Sequence, residues 1–245
     1  MGYADFADVG SSLSEASLAR GVTAGITPPP GGGSFVYGYN SLDSDVVGAH
    51  GKYVDRPGFT PTGSGPATAD GGGVIAGVLK RYASSNNTGF TPMLFFALQG
   101  SPPTVNDMAY MIALSNEDPY RIVLAKGVLA AGVPGDGEDM TVLRQSSEQF
   151  SMGDDLYHHV RLECIVQPNA DVKLVVEGND LTAHPLGTAP DWQPILGMDD
   201  FIDDRLQIAT GSAPLLGGYC GFAFAVNRAL NRRGAFDGIE AYRND

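Results

Sequence analysis

Basic residues are scarce in this sequence. Lys and Arg number 15 against 28 Asp and Glu, a formal net charge of −13 at pH 7. A field of that sign repels phosphate backbones, so nucleic acid is disfavoured as a partner. No local cluster offsets it: Arg228, Arg232 and Arg233 form only a small group in a loop. Cysteine is nearly absent as well. Cys164 and Cys220 are too few for a disulfide framework. Both fall in apolar runs and read as buried reduced thiols acting as small hydrophobes, with a bridge between adjacent strands as the alternative. No apolar run approaches the ~18 residues that a membrane-spanning helix needs. Met1-Gly2-Tyr3-Ala4-Asp5 is acidic where a secretory leader would be basic. Phe6 stands where a myristoylation signal wants Ser or Thr. Charged residues make up 18% of the chain, below the roughly 25% of ordinary soluble domains. That shortfall points to surface that neighbours cover.

What is abundant is turn chemistry between short apolar runs. Gly contributes 33 residues and Pro 16, while 43% of the chain is hydrophobic. Tyr157 to Val166 is an apolar and β-branched run of strand length, followed by a turn at Pro168-Asn169-Ala170-Asp171 and a second run, Val172 to Asp180. Strand side chains alternate, so Val160, Leu162, Cys164 and Val166 share a dry face and His159, Arg161 and Glu163 a wet one. Gly218 to Val226 and Gly234 to Tyr242 are further runs of this type. Val74 to Tyr82 reads as a strand. Pro92 to Gln99 is apolar on both faces and belongs at the centre. Met108 to Leu114 and Tyr120 to Lys126 follow it through short turns, which predicts a meander. Met140 to Arg144 and Asp203 to Thr210 are shorter candidates. Spacing of this kind, with no internal repeat, favours one sandwich.

Residues 1–33 read differently. Ser12 and Glu15 form a capping box, which predicts a short helix from Leu13 to Arg20 stopped by Gly21. Pro28-Pro29-Pro30 then stiffens the chain and Gly31-Gly32-Gly33 loosens it. The expectation is an N-terminal arm, frayed or docked on its own domain or a neighbour, followed by a sandwich over residues 34–245.

The motif Tyr157-His158-His159-Val160-Arg161-Leu162, the strand ending Gly178-Asn179-Asp180, and the closing Gly221-Phe222-Ala223-Phe224 and Ala235-Phe236-Asp237-Gly238-Ile239-Glu240 resemble concanavalin-like (laminin-G-like) jelly-roll domains. Asp8-Val9-Gly10-Ser11-Ser12-Leu13, Arg20-Gly21-Val22-Thr23-Ala24-Gly25 and Pro28 to Gly38 resemble virion structural proteins of tailed bacteriophages carrying such a fold. The resemblance implies an all-β, concanavalin-like jelly-roll sandwich of two antiparallel sheets with an N-terminal arm. It implies a non-catalytic virion protein of the tail, neck or capsid exterior, assembled in the host cytoplasm by docking to other virion proteins and to its own copies. A carbohydrate-binding host-recognition module is the alternative.

Few residues nominate chemistry. Glycoside hydrolysis needs two carboxylates about 5 Å apart or more, and no strand carries alternating acids. Glu163 and Glu177 read as solvated sheet-face charges beside Arg161 and Lys173. Asp199, Asp200, Asp203 and Asp204 form the densest acid cluster and are weak candidates for calcium, which wants six to eight oxygens. Phe201 and Ile202 interrupt them, so no cofactor or metal is expected. Asp136, Glu138 and Asp139 are weaker still. His158 and His159 point to opposite faces and cannot readily share one ion. Nucleophile elbows, phosphate loops and zinc motifs are missing, which favours a protein that is not an enzyme. Trp192, the single tryptophan, is the candidate glycan contact, beside Tyr82, Tyr120 and Tyr157.

Overall fold

The structure, a computed structural model, describes residues 18–20, 29–32, 37–40, 48–54, 72–81, 90–99, 108–115, 120–128, 140–148, 156–205, 212–226 and 233–243. The capping box, the Asp136–Asp139 acids and Tyr82 lie outside them. Among the described residues the chain forms strands β1 (Leu18–Arg20), β2 (Tyr37–Asn40), β3 (Gly48–Val54), β4 (Gly73–Arg81), β5 (Phe90–Leu98), β6 (Met108–Ser115) and β7 (Ile122–Val128). There follow β8 (Met140–Gln145), β9 (Tyr157–Val166), β10 (Val172–Asn179), β11 (Gln193–Pro194), β12 (Phe201–Asp203), β13 (Tyr219–Val226) and β14 (Arg233–Arg243).

These pair into two antiparallel sheets. Sheet A runs β1-β2-β14-β4-β9-β10-β11, with β12 also on β10; sheet B runs β3-β13-β5-β6-β7-β8. Every pairing is antiparallel. The fold is therefore all-β, a sandwich of two antiparallel sheets, as expected. The predicted meander holds as β5-β6-β7 and extends to β8. One local expectation fails: Leu18–Arg20 is a strand on β2, not the end of a helix. A helix of two turns is marginal alone, and the edge of a sheet offers that backbone ladder partners instead. The strand expected from Asp203 starts earlier, at Phe201, because Leu174, Lys173 and Val172 of β10 pair with Phe201, Ile202 and Asp203.

Alternation builds the core. Val160, Leu162, Cys164 and Val166 of β9 face inward with Leu174 and Val176 of β10, as the dry face required. Opposite them stand Leu94, Phe96, Tyr110, Ile112 and Leu124 of sheet B. β4 and β14 lie over β5, and Phe222 of β13 meets Phe236 of β14 with ring centroids 4.7 Å apart. Cys164 and Cys220 are buried free thiols in this core. Burial pushes the Cys164 thiol well above its ordinary range, and neighbouring Glu163 and Cys220 add to that.

One polar cluster penetrates the core. Asp203, at the end of β12, meets Lys126 of β7 with Nζ and Oδ2 2.6 Å apart, both side chains 0% exposed. Tyr110 donates its hydroxyl to the same oxygen at 2.6 Å and accepts from the Leu215 amide at 2.9 Å. Lys126 also donates to the Ser212 and Ala213 carbonyls at 3.0 and 2.7 Å. The three ammonium hydrogens thus have three acceptors, which is what a buried cation requires. Burial lowers the Lys126 pKa and Asp203 opposes that shift. The cluster pins the 212–215 segment and β12 to sheet B.

Candidate functional site

The outer face of sheet A carries the polar side chains that the inner face excludes. Register sets them in rows across neighbouring strands. One row runs Asp237, Val78, His159, Asn179; the next includes Ala76, Arg161 and Glu177. Arg161 and Glu177, directly opposite each other, form an ion pair of two part-buried side chains. At one end Lys80 sits 4.6 Å from the Tyr157 ring centroid.

The connection after β10 folds back over this face, and Asn179 holds it there. Its Oδ1 accepts from the Asp191 amide at 2.9 Å. Its Nδ2 donates to the His184 carbonyl at 2.9 Å and to His159 Nδ1 at 3.0 Å. The Asp191 N–H can only donate, so it fixes which end of the amide is oxygen. His159 Nδ1 is then an acceptor, and the neutral ring carries its proton on Nε2. Burial lowers the His159 pKa to about 4, so the ring is neutral near pH 7. Local turns complete the connection: Thr182 N donates to Asp180 Oδ1 at 2.8 Å, and His184 N to the Asp180 carbonyl at 2.8 Å.

Trp192 lies where this connection returns to β10, immediately before β11. The ring stands edge-on to His159, centroids 4.6 Å apart at 64°, and the Arg161 guanidinium lies 5.3 Å from its centroid. It is half-buried, between exposed Asp191 and Gln193, which hydrogen-bond each other at 2.8 Å. The arrangement is a fixed aromatic surface ringed by an amide, a carboxylate and a paired guanidinium.

A short strap closes the far side. Pro29 to Gly32 forms a turn, and the Leu186 amide donates to the Pro30 carbonyl at 3.0 Å. Gly31 has φ +75°, and a Cβ there would fall 2.2 Å from the Leu186 carbonyl oxygen, so only glycine fits. Leu186 also packs on Gly238, at φ +55° in the register shift of β14. Beneath Gly32, Asp237 accepts from the Gly238 amide at 2.8 Å, while its Oδ2 has no hydrogen-bond partner among the described residues. Burial raises the Asp237 pKa, and the Gly238 hydrogen bond opposes that.

The acids do not converge on an ion. Asp203 turns into the core against Lys126, Asp200 pairs with Lys173 at 2.6 Å, Asp199 is exposed and Asp204 half-buried. Strand alternation separates them: Asp203 points inward where Ile202 points out. Among the described residues no group of three or more His, Cys, Asp or Glu could hold a metal. Glu177 does face Arg161, as its position suggested, but Glu163 stands across from Val175 and Lys173 from Ile165. Sequence reading missed Asn179 and the Tyr110–Lys126–Asp203 cluster. The available signal for the latter was Lys126, a lone cation at an inward position of an apolar strand.

No family model matches the chain, and no curated protein matches it in sequence. Several solved structures are similar in outline. An endo-β-1,4-glucuronan lyase from the fungus Trichoderma reesei is 12% identical with TM-score 0.44, covering 99% of this chain and 94% of its own. The carbohydrate recognition domain of Emp47p is 8% identical with TM-score 0.38, covering 97% and 93%. The CBM2 module of an evolved Dit from Lactobacillus casei BL23 phage J-1 is 11% identical with TM-score 0.34, covering 99% and 95%. These likenesses are of outline alone.

Proposed function

We propose that this chain is a non-catalytic subunit of a tailed-phage virion that docks to other virion proteins and recognises carbohydrate through the outer face of sheet A. One observation carries the recognition: Trp192 is held on that face by His159, Arg161 and the Asn179-stapled connection. Sugar rings stack on such a surface, and Asp191, Gln193 and Glu177 stand beside it to take hydroxyl hydrogen bonds. Preorganisation favours affinity because little is left to order on binding. The virion setting rests on the resemblance of the Asp8–Leu13, Arg20–Gly25 and Pro28–Gly38 motifs and on the low charge content. The non-catalytic reading rests on how the site's charges are spent: Arg161 and Glu177 neutralise each other, and Asp203 is inside.

A glycan array on the full chain tests recognition. The expected result is a defined set of glycans bound with Kd of about 1 mM or tighter, lost in Trp192→Ala with the fold retained. An array without hits, or hits that survive Trp192→Ala, would refute it. Mass spectrometry of purified particles tests the virion role separately: many copies per particle are expected, and absence would refute it.

A further inference from the structure

The surface around Trp192 holds more carboxylates than cations. Strands β10 and β11 pair Glu177 with Pro194 and Gly178 with Gln193, which sets Trp192 level with Asn179 and His159. Near it stand half-buried Glu163 and Glu177 and exposed Asp180 and Asp191. Against these, the cation beside the ring among the described residues is Arg161. Lys80 is turned onto the Tyr157 ring, four residues along β9 from Arg161 and so about 13 Å away. Lys173 is as far down β10 from Glu177 and pairs with Asp200. His159 is neutral near pH 7.

Arg161 is already spent. Its Nε and Nη2 both donate to one oxygen of Glu177, Oε2, and the two side chains are only 21% and 16% exposed. Two donors on one oxygen leave Oε1 of Glu177 to accept from elsewhere. Asp191 likewise gives Oδ1 to Gln193 and keeps Oδ2.

Hydroxyl groups suit this set because each can both donate and accept. They can donate to Glu177 Oε1 and Asp191 Oδ2 and accept from His159 Nε2–H. A ligand carboxylate, sulfate or phosphate ester has no proton to donate at neutral pH. It would have to take Arg161 from Glu177, which leaves a half-buried carboxylate without its counter-ion. Asp191 would then stand beside it as a second like charge. Like charges set against each other are an effective bar to the wrong partner.

We propose that Glu177, backed by Asp191, is the specificity-determining residue of this surface: by holding Arg161 it admits uncharged sugars and excludes acidic ones. The inference rests on the carbohydrate reading above and adds the charge class of the sugar. Glu177 matters more than Asp191 because it alone controls the cation. Without it, a guanidinium at the edge of an aromatic ring becomes a ready partner for a carboxylate or sulfate.

An array of matched pairs tests this on the full chain at low ionic strength, where surface charge is least screened. Each pair holds an uncharged oligosaccharide and its uronate, sialylated or sulfated counterpart. The wild type should bind the uncharged member at least about tenfold more tightly. In Glu177→Gln, with far-UV dichroism unchanged, binding of the acidic member should rise at least about tenfold while the uncharged member changes less than about threefold. A purely structural Glu177 would lower both members alike, and that result would overturn the proposal. If Glu177→Gln does not fold, Asp191→Asn, at an exposed side chain, should narrow the gap in the same direction, and an unchanged gap would count against the proposal. Wild-type binding of acidic members as tight as or tighter than their uncharged partners would overturn this inference and leave carbohydrate recognition standing. Binding of no member of any pair would overturn recognition and this inference together.

Discussion

Removing Asp203 should reveal how much the buried cluster contributes. In Asp203→Ala, Lys126 keeps the Ser212 and Ala213 carbonyls but loses its counter-ion, and the Tyr110 hydroxyl loses its acceptor. Breaking a buried pair by deleting one partner costs about 3–5 kcal/mol. At roughly 2–4 °C per kcal/mol for a chain of this size, the melting temperature should fall by about 6–20 °C. Lys126→Met should cost at least as much. It leaves a buried carboxylate and takes the donor from two carbonyls, each worth about 1–3 kcal/mol when left unpaired. The triple Tyr110→Phe/Lys126→Met/Asp203→Leu should recover most of the loss, apart from those carbonyls, because an apolar cluster needs no desolvation of charge. A pH series adds a signature. Burial already lowers the Lys126 pKa, and loss of Asp203 lowers it further. The unfolded chain then binds more protons, so the deficit of Asp203→Ala should shrink as pH rises from 7 towards 10. Urea unfolding of the wild type, the two single variants, the double Lys126→Met/Asp203→Ala and the triple measures all of this. A cost under about 1 kcal/mol for Asp203→Ala, or strictly additive losses in Lys126→Met/Asp203→Ala, would refute the coupling.

Other substitutions probe the outer face and the strap. The His159 pKa is about 4 in the fold against about 6.5 unfolded. The unfolded state therefore binds the extra proton between those values, and stability should fall as pH drops from 6.5 to 4, by at most ~3 kcal/mol. His159→Gln should flatten that slope in acid titrations followed by fluorescence of Trp192. Gly31→Ala should cost about 1–3 kcal/mol, measured by thermal unfolding, because the strap cannot hold its φ and its contact with Leu186 together. Cys164 and Cys220 should be inert to a thiol reagent in native protein and react on unfolding; prompt native labelling would contradict their burial.

Much of the architecture was legible because sheet pairing leaves a period-two trace. β9 reads directly: Val160, Leu162, Cys164 and Val166 went to the core and Arg161 to the other face. β5 was placed centrally for the right reason, since Met93 and Phe95 are apolar on the face that would otherwise be polar. Where the trace is short, reading failed. Leu18–Arg20 has three residues, too few for alternation to outweigh a capping box. Trp192 was noticed for its rarity, but its partners were not, since Asn179 acts through contacts to His184 and Asp191 that only the folded connection creates. Asp203 was grouped with its neighbours in the acid cluster because sequence proximity conceals direction: the residue at the end of a three-residue strand faces Lys126, 77 positions away.

The outer faces of the two sheets differ in how polar groups are set among apolar ones. The outer face of sheet A combines buried apolar positions of β4, Val74, Ala76 and Val78, with paired polar groups of β9 and β10, Arg161 with Glu177 and His159 with Asn179. Sheet B has outward positions that water cannot occupy without loss: burying a side chain such as Phe95 or Met111 is worth about 1.5–3 kcal/mol each.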